Sequence, residues 1–125
     1  PYDIVRLASS GVGSPPFMVK TVSDAILKGQ DILVEINPQT ARAAGLADGK
    51  YASLETPRGR ARVKVHASEG IQPGVIAMAR GLGHTAFDKY LADKGVNVNN
   101  LMGPAIDPAS GYDAAWGIRA KLVKA

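Results

Sequence analysis

The run NPQTARAAG at residues 37–45 constrains the fold most tightly, because its punctuation permits one short helix and nothing longer. Asn37 stands at the cap and Pro38 at the first helical position, where a missing N–H costs nothing; alanines carry the helix and Gly45 ends it. Before it, DILVEI at residues 31–36 has the branched apolar content of a strand. After it, LADGKYASLETPRGRARVKVHA reads as two strands joined by the tight turn TPRG, with Pro57 setting φ and Gly59 releasing it. QPGVIAMA then supplies another strand behind a Pro73-Gly74 corner, and the whole stretch has the pattern of a β-meander.

The flanks repeat the theme. YDIVRLA at residues 2–8 reads as a buried strand, SSGVGSPP as a loop of small residues, and SDAILK at residues 23–28 as one or two helical turns closed by Gly29. In HTAFDKYLADKG, Thr85 and Asp88 have capping-box spacing, Phe87, Tyr90 and Leu91 share a face, and Gly95 ends the helix. The tail alternates Ile118, Ala120 and Leu122 against Arg119, Lys121 and Val123, as a strand with one buried face does. Strands at both ends with short helices between them predict a mainly β fold, a small closed barrel rather than a βαβ sheet.

Composition narrows the chemistry. Residues 1–125 make one domain, with hydrophobic residues at 46% and charged residues at 21%, both in the globular range. Without cysteine the chain supplies no disulfide, no thiolate metal site and no iron–sulfur ligand. His66 and His84 lie far apart, without the close pairing of a zinc site on one helix. A formal charge of +4 favours an anionic partner. No apolar run approaches the roughly 20 residues of a spanning helix, which predicts no direct membrane span. The chain opens at Pro1 almost directly into a strand-like stretch, which suggests a processed chain or part of a larger subunit.

Three glycine-containing loops, SSGVG, ARGLGH and KGVNVNN, carry the functional interest. Glycine lets the backbone approach a ligand closely, so each could offer N–H groups to phosphate or to a heterocycle edge; each also reads simply as a turn. Neither a dinucleotide fingerprint nor a phosphate loop of the GxxxxGK[ST] type is present. His84 is a candidate for acid–base work or for capping and packing. Arg58, Arg60, Arg62 and Lys64 alternate along one strand and share a face, which a solvated surface explains. No serine, histidine and acid trio or spaced carboxylate pair stands out, so the residues point to a binding domain rather than a catalyst. A barrel binding single-stranded nucleic acid is a further reading, opposed by the scarcity of aromatics: one tryptophan, two phenylalanines and four tyrosines without paired arrangement along a strand. The crowding of amides at Asn97, Asn99 and Asn100 fits either turns or hydrogen bonding to something planar and polar.

The order of these motifs resembles a known family. The INP-helix-Gly-hydrophobic-x-DG block at residues 36–49, the strand-turn-strand after it, the PGV corner at residues 73–75, GVNVN at residues 95–99 and DPASG at residues 107–111 are together similar to the C-terminal molybdopterin-dinucleotide-binding domain of the dimethyl sulfoxide reductase family of molybdenum and tungsten oxidoreductases. The resemblance implies a double-psi β-barrel closing over bis(molybdopterin guanine dinucleotide) that other domains of a catalytic subunit mainly bind. It also makes Ser9, Ser10, Gly11, Arg80, Gly81, His84, Asn97 and Asn99 candidate cofactor contacts. Asparagine suits a pterin or guanine edge, since its amide donates and accepts in one plane, and arginine suits pyrophosphate. The implied partners are upstream domains of the same large subunit, where metal and iron–sulfur ligands would lie, with iron–sulfur and membrane subunits beyond them. The implied compartment is the periplasm, with the cytoplasm as the alternative. GLGHTAFDKYL is also similar to large subunits of quinone-linked respiratory complexes, some of which keep the fold without the cofactor, so a cofactor-free structural domain is the second expectation.

Overall fold

The computed structural model describes residues 31–85 and 92–125. The strand expected at residues 2–8, the loop behind it, the turns at residues 23–28 and most of the helix expected before Gly95 lie outside these residues. The elements are β1 (Ile32–Ile36), α1 (Pro38–Ala43), β2 (Tyr51–Thr56), β3 (Gly59–Ala67), β4 (Ile76–Met78), α2 (Asn99–Met102), a 3₁₀ turn (Ala115–Gly117) and β5 (Lys121–Lys124).

Strict alternation fixes the inner face. Ile32, Val34 and Ile36 of β1 are buried with Ala61, Val63 and Val65 of β3, while Arg60 and Arg62 face outward. α1 forms as its punctuation requires: Gln39 N–H donates to the Asn37 side chain at 2.9 Å. Its far end is a Schellman closure, with Gly45 at φ +65, Gly45 N–H on Arg42 O, Leu46 N–H on Ala41 O, and Leu46 buried. Asn37 does more than cap, because its amide nitrogen donates to Ile71 O at 2.9 Å and ties the β3–β4 connection to the helix.

The sheet order is β4-β1-β3-β2-β5, with β1 and β3 parallel and every other pair antiparallel. This corrects the expected meander: β4 lies beside β1, not beside β3. Burial explains the order, because β1 and β3 each bring three buried side chains and cover most of them when both are interior strands. A type II turn at residues 72–75 delivers the chain to the far edge; Pro73 occupies its second position, Gly74 takes φ +82, and Val75 N–H bonds Gln72 O.

The β2–β3 turn is closed by Thr56 rather than released by Gly59, which does not take a positive φ. Thr56 Oγ1 accepts from Gly59 N–H at 3.2 Å and Arg58 N–H at 3.3 Å, and gives its single proton to Leu101 O at 2.7 Å, the shortest of its contacts. One hydroxyl thereby fastens the hairpin to α2. The last strand is also shorter than the alternation from Ile118 suggests. Continuing the β2–β5 register would set Arg119 against Pro57, which has no N–H for a ladder, so pairing begins at Lys121. Ile118 and Leu122 still pack on the core, whereas Ala120 is exposed.

The sheet curls. Ile76 on one edge strand and Leu122 on the opposite edge strand line the same cleft of about 580 Å³, with Thr40 and Ala44 of α1 beside them. The fold is therefore mainly β, a curled mixed sheet with few short helices. Among the described residues no helix is long and apolar enough to cross a membrane.

Candidate functional site

The ARGLGH turn begins where β4 runs out. Ala79 and Leu82 are buried, and Leu82 sits between two glycines with φ of +100 (Gly81) and +82 (Gly83). Such values exclude most side chains, so the turn can double back around an anchored leucine. Its two ends are then pinned: Gly83 N–H donates to Lys94 O at 2.8 Å, and Asp93 N–H to His84 O at 2.9 Å.

The asparagine run packs directly on this turn. A β-carbon built on Gly83 would stand 2.0 Å from Asn97 N and 2.3 Å from Val96 C, so only glycine permits the approach. One on Gly95 would meet Leu82 Cβ at 3.2 Å and Ile32 Cβ at 3.4 Å. Buried Val98, Leu101 and Met102 hold the run from the core side. Two of the three loops singled out in the sequence, separated there by a segment expected to be helical, thus pack on one another.

Within it Asn97 has a defined orientation. Its Oδ1 accepts from Asn99 N–H at 3.0 Å, and its backbone carbonyl accepts from Asn100 N–H at 3.0 Å, an Asx turn that starts α2. Since the oxygen must face an N–H, the carboxamide NH₂ faces away and makes no hydrogen bond among the described residues. Arg80, Gly81, His84 and Asn97 are half-buried, and Asn99 is exposed. Ser9, Ser10 and Gly11 lie outside the described residues.

A neighbour that the sequence did not single out for this site is Arg58. Its side chain lies over Gly103 at the end of α2: a β-carbon on Gly103, at φ +68, would stand 2.0 Å from Arg58 Nε. Strand alternation put Arg58 with the solvated arginines of β3, whereas the turn carries it towards the asparagine helix. The nearest sequence signal is Gly103 itself.

Polar pairs elsewhere are structural. Asp48 accepts from Ala67 N–H at 2.8 Å and lies 3.3 Å from His66 Nδ1; the Ala67 amide first, and His66 after it, hold its carboxyl below the usual range. Tyr51 donates to Asp31 at 2.8 Å, which pushes the phenol up, and Arg62 lies 3.9 Å over its ring. Among the described residues no group of three histidines or carboxylates could hold a metal. What the turn and run offer is polar groups at half-buried positions, Arg80, His84 and Asn97.

Comparison with known proteins matches this arrangement to a family. Residues 16–117 match the family described as Molydopterin dinucleotide binding domain. The chain is 35% identical over 121 residues to the menaquinone reductase, molybdopterin-binding-like subunit, of Nitratidesulfovibrio vulgaris, covering 97% of this chain and 18% of that protein. It is 30% identical over 112 residues to the arsenate respiratory reductase molybdopterin-containing subunit ArrA of Shewanella sp., covering 84% and 13%. The chain thus spans less than a fifth of the length of these relatives. Acetylene hydratase from Pelobacter acetylenicus shares the fold, with a TM-score of 0.60 at 22% identity over 76% of this chain and 14% of that one. With most of its length matched and the motifs at residues 36–49 and 95–99 in order, the chain belongs to the molybdopterin dinucleotide-binding domain family that those motifs resemble.

Proposed function

We propose that this domain closes over a molybdopterin guanine dinucleotide held mainly by other domains of a larger oxidoreductase subunit. The observation that carries the reading is the packing of Gly83 on the Asn97 backbone, which brings the turn that holds Arg80 and His84 against the asparagine run, with all three residues half-buried. The residues present fit such a group. Asn97 NH₂ suits an acceptor on a pterin or guanine edge, and the Arg80 guanidinium and turn amides suit phosphate oxygens. When bound, the dinucleotide supplies the molybdenum or tungsten at which redox chemistry takes place; this chain's residues bind and orient it and shield it from water. The curled sheet is, in this reading, the described part of a double-psi β-barrel. Iron–sulfur and membrane subunits are the proposed further partners, and the periplasm the proposed compartment.

The test is pterin and metal content of the purified full-length subunit. Asn97→Asp keeps the acceptor for Asn99 N–H and removes the NH₂ donor, while Asn97→Ala removes both. Both substitutions, and Arg80→Ala, are expected to lower cofactor retention with the domain still folded. Unchanged pterin and metal in all three would end the assignment. A second reading, a cofactor-free structural domain, is favoured by one observation, the 35% identity to a subunit named molybdopterin-binding-like. A wild-type subunit purified without pterin or metal would favour it.

A further inference from the structure

Residues 104–114, PAIDPASGYDA, form a short exposed arm between α2 and the 3₁₀ turn. Two backbone bonds make it a ladder, Ala114 N–H to Ala105 O at 2.6 Å and Asp107 N–H to Tyr112 O at 2.9 Å, bracketing the antiparallel bridge between Ile106 and Asp113. Asp107 braces the tip: its carboxylate accepts from Ser110 N–H at 3.0 Å and from the Ser110 hydroxyl, and its carbonyl takes Gly111 N–H at 2.8 Å. Gly111 completes the tip at φ +74.

This braced arm exposes its two large apolar side chains, Ile106 at 72% and Tyr112 at 78%. Single exposed apolar residues are ordinary on protein surfaces. The register makes these two different. Ile106 is paired with Asp113, so Ile106 projects from one face of the ladder and Tyr112, one residue from Asp113, from the other. An arm lying flat on a partner needs one apolar face; an arm with an apolar side chain on each face fits a groove with two walls. Bracing in advance removes the ordering cost that a flexible loop would meet on binding.

The chemistry also says what kind of groove. The arm carries two aspartates and no lysine or arginine, which opposes an anionic lipid surface or nucleic acid. Relatives of this chain are more than five times its matched length, so most of the surface available to the domain belongs to its own polypeptide. We propose that the arm inserts into an apolar groove on the remainder of the large subunit, with Ile106 against one wall, Tyr112 against the other, and a donor or cation at the rim beside Asp113. This rests on the reading of the chain as one domain of a longer cofactor-binding subunit.

The experiment uses the full-length subunit carrying Tyr112→p-benzoylphenylalanine, irradiated and mapped by mass spectrometry, with pterin and metal assayed on the same sample. The expected result is a crosslink within the subunit, from position 112 to a peptide outside this domain. Crosslinks confined to this domain, to a second copy or to another subunit, or no crosslink, would overturn the proposal. Hydroxyl-radical labelling of the unmodified subunit gives a second readout: Tyr112 protected relative to the unfolded chain supports insertion, and full labelling refutes it. The two readings fail separately. A subunit with cofactor but no crosslink refutes the arm alone, and a crosslinked subunit without cofactor refutes the cofactor assignment alone.

Discussion

Replacing Gly83 by alanine isolates the contact on which the candidate site depends. At φ +82 any L side chain costs about 1–2 kcal/mol. The new methyl would also stand 2.0 Å from Asn97 N and 2.7 Å from Asn97 Cα, backbone atoms that yield only if the run moves. Forcing extra carbon into a packed position costs about 1–3 kcal/mol more. Gly45→Ala is the control, because Gly45 has φ +65 and nothing within 4 Å of the added carbon, so it carries the strain without the clash. Both variants share the small entropic effect of alanine on the unfolded chain, which cancels in the comparison. Hydrogen exchange is the assay, read at the amides of Asn99 and Asn100, which bond to Asn97 Oδ1 and Asn97 O. At tenfold for each 1.4 kcal/mol, the clash predicts about 5- to 140-fold faster exchange there in Gly83→Ala, and no change in Gly45→Ala. Unchanged exchange in Gly83→Ala, or equal acceleration in both, would refute the claim that Gly83 seats the asparagine run.

Asn37→Ala removes a cap worth about 0.5–2 kcal/mol and a hydrogen bond to Ile71 O worth about 0.5–1.5 kcal/mol; Asn37→Asp, which keeps the acceptor, is expected to recover the cap's share in a denaturant midpoint. Asp107 is held below the ordinary aspartate value of 3.8, first by the Ser110 hydroxyl and then by the Ser110 and Ala109 amides. Because its folded value is depressed, the stability it contributes is fully present above 3.8 and is lost as pH falls through the lower folded value. A carboxyl chemical-shift titration is expected to show the low midpoint, and Ser110→Ala to move it upward; an ordinary midpoint in the unmodified chain contradicts the bracing of the arm.

What was legible in the sequence was local. Asn37, Pro38 and Gly45 mark α1 because caps and left-handed closures are decided within a few residues, and Thr56-Pro57-Arg58-Gly59 marks the hairpin for the same reason. The parallel pairing of β1 with β3 was not legible. It joins Ile32 to Val63 across thirty-one positions, and it is chosen by shared burial of two apolar faces rather than by any turn. The candidate site was legible as its parts and not as their union: Arg80, Gly81 and His84 stood in one motif and Asn97 and Asn99 in another. Their contact, Gly83 against Asn97, depends on where Lys94 and Asp93 return the chain.

The structure also sharpens the question raised by the asparagines. A free carboxamide could donate and accept, which left a heterocycle edge, a phosphate and a mere turn equally open. Oδ1 of Asn97 already takes the Asn99 N–H, which leaves the NH₂ as the group at this position with no partner among the described residues. The Arg80 guanidinium can only donate as well. Donors at residues 80 and 97 suit a ligand that brings acceptors to them, such as the carbonyl and ring nitrogens of a guanine or pterin or the oxygens of a pyrophosphate. Restoring acceptance at residue 97 is therefore a stricter trial than deletion: Asn97→Asp leaves the turn bonded and offers a carboxylate in place of NH₂, so an acceptor-rich ligand should be repelled more strongly by aspartate than by alanine. Equal losses would mean that the carboxylate meets no repulsion and would refute the acceptor-rich edge, and retention with aspartate beside loss with alanine would mean that only the turn mattered.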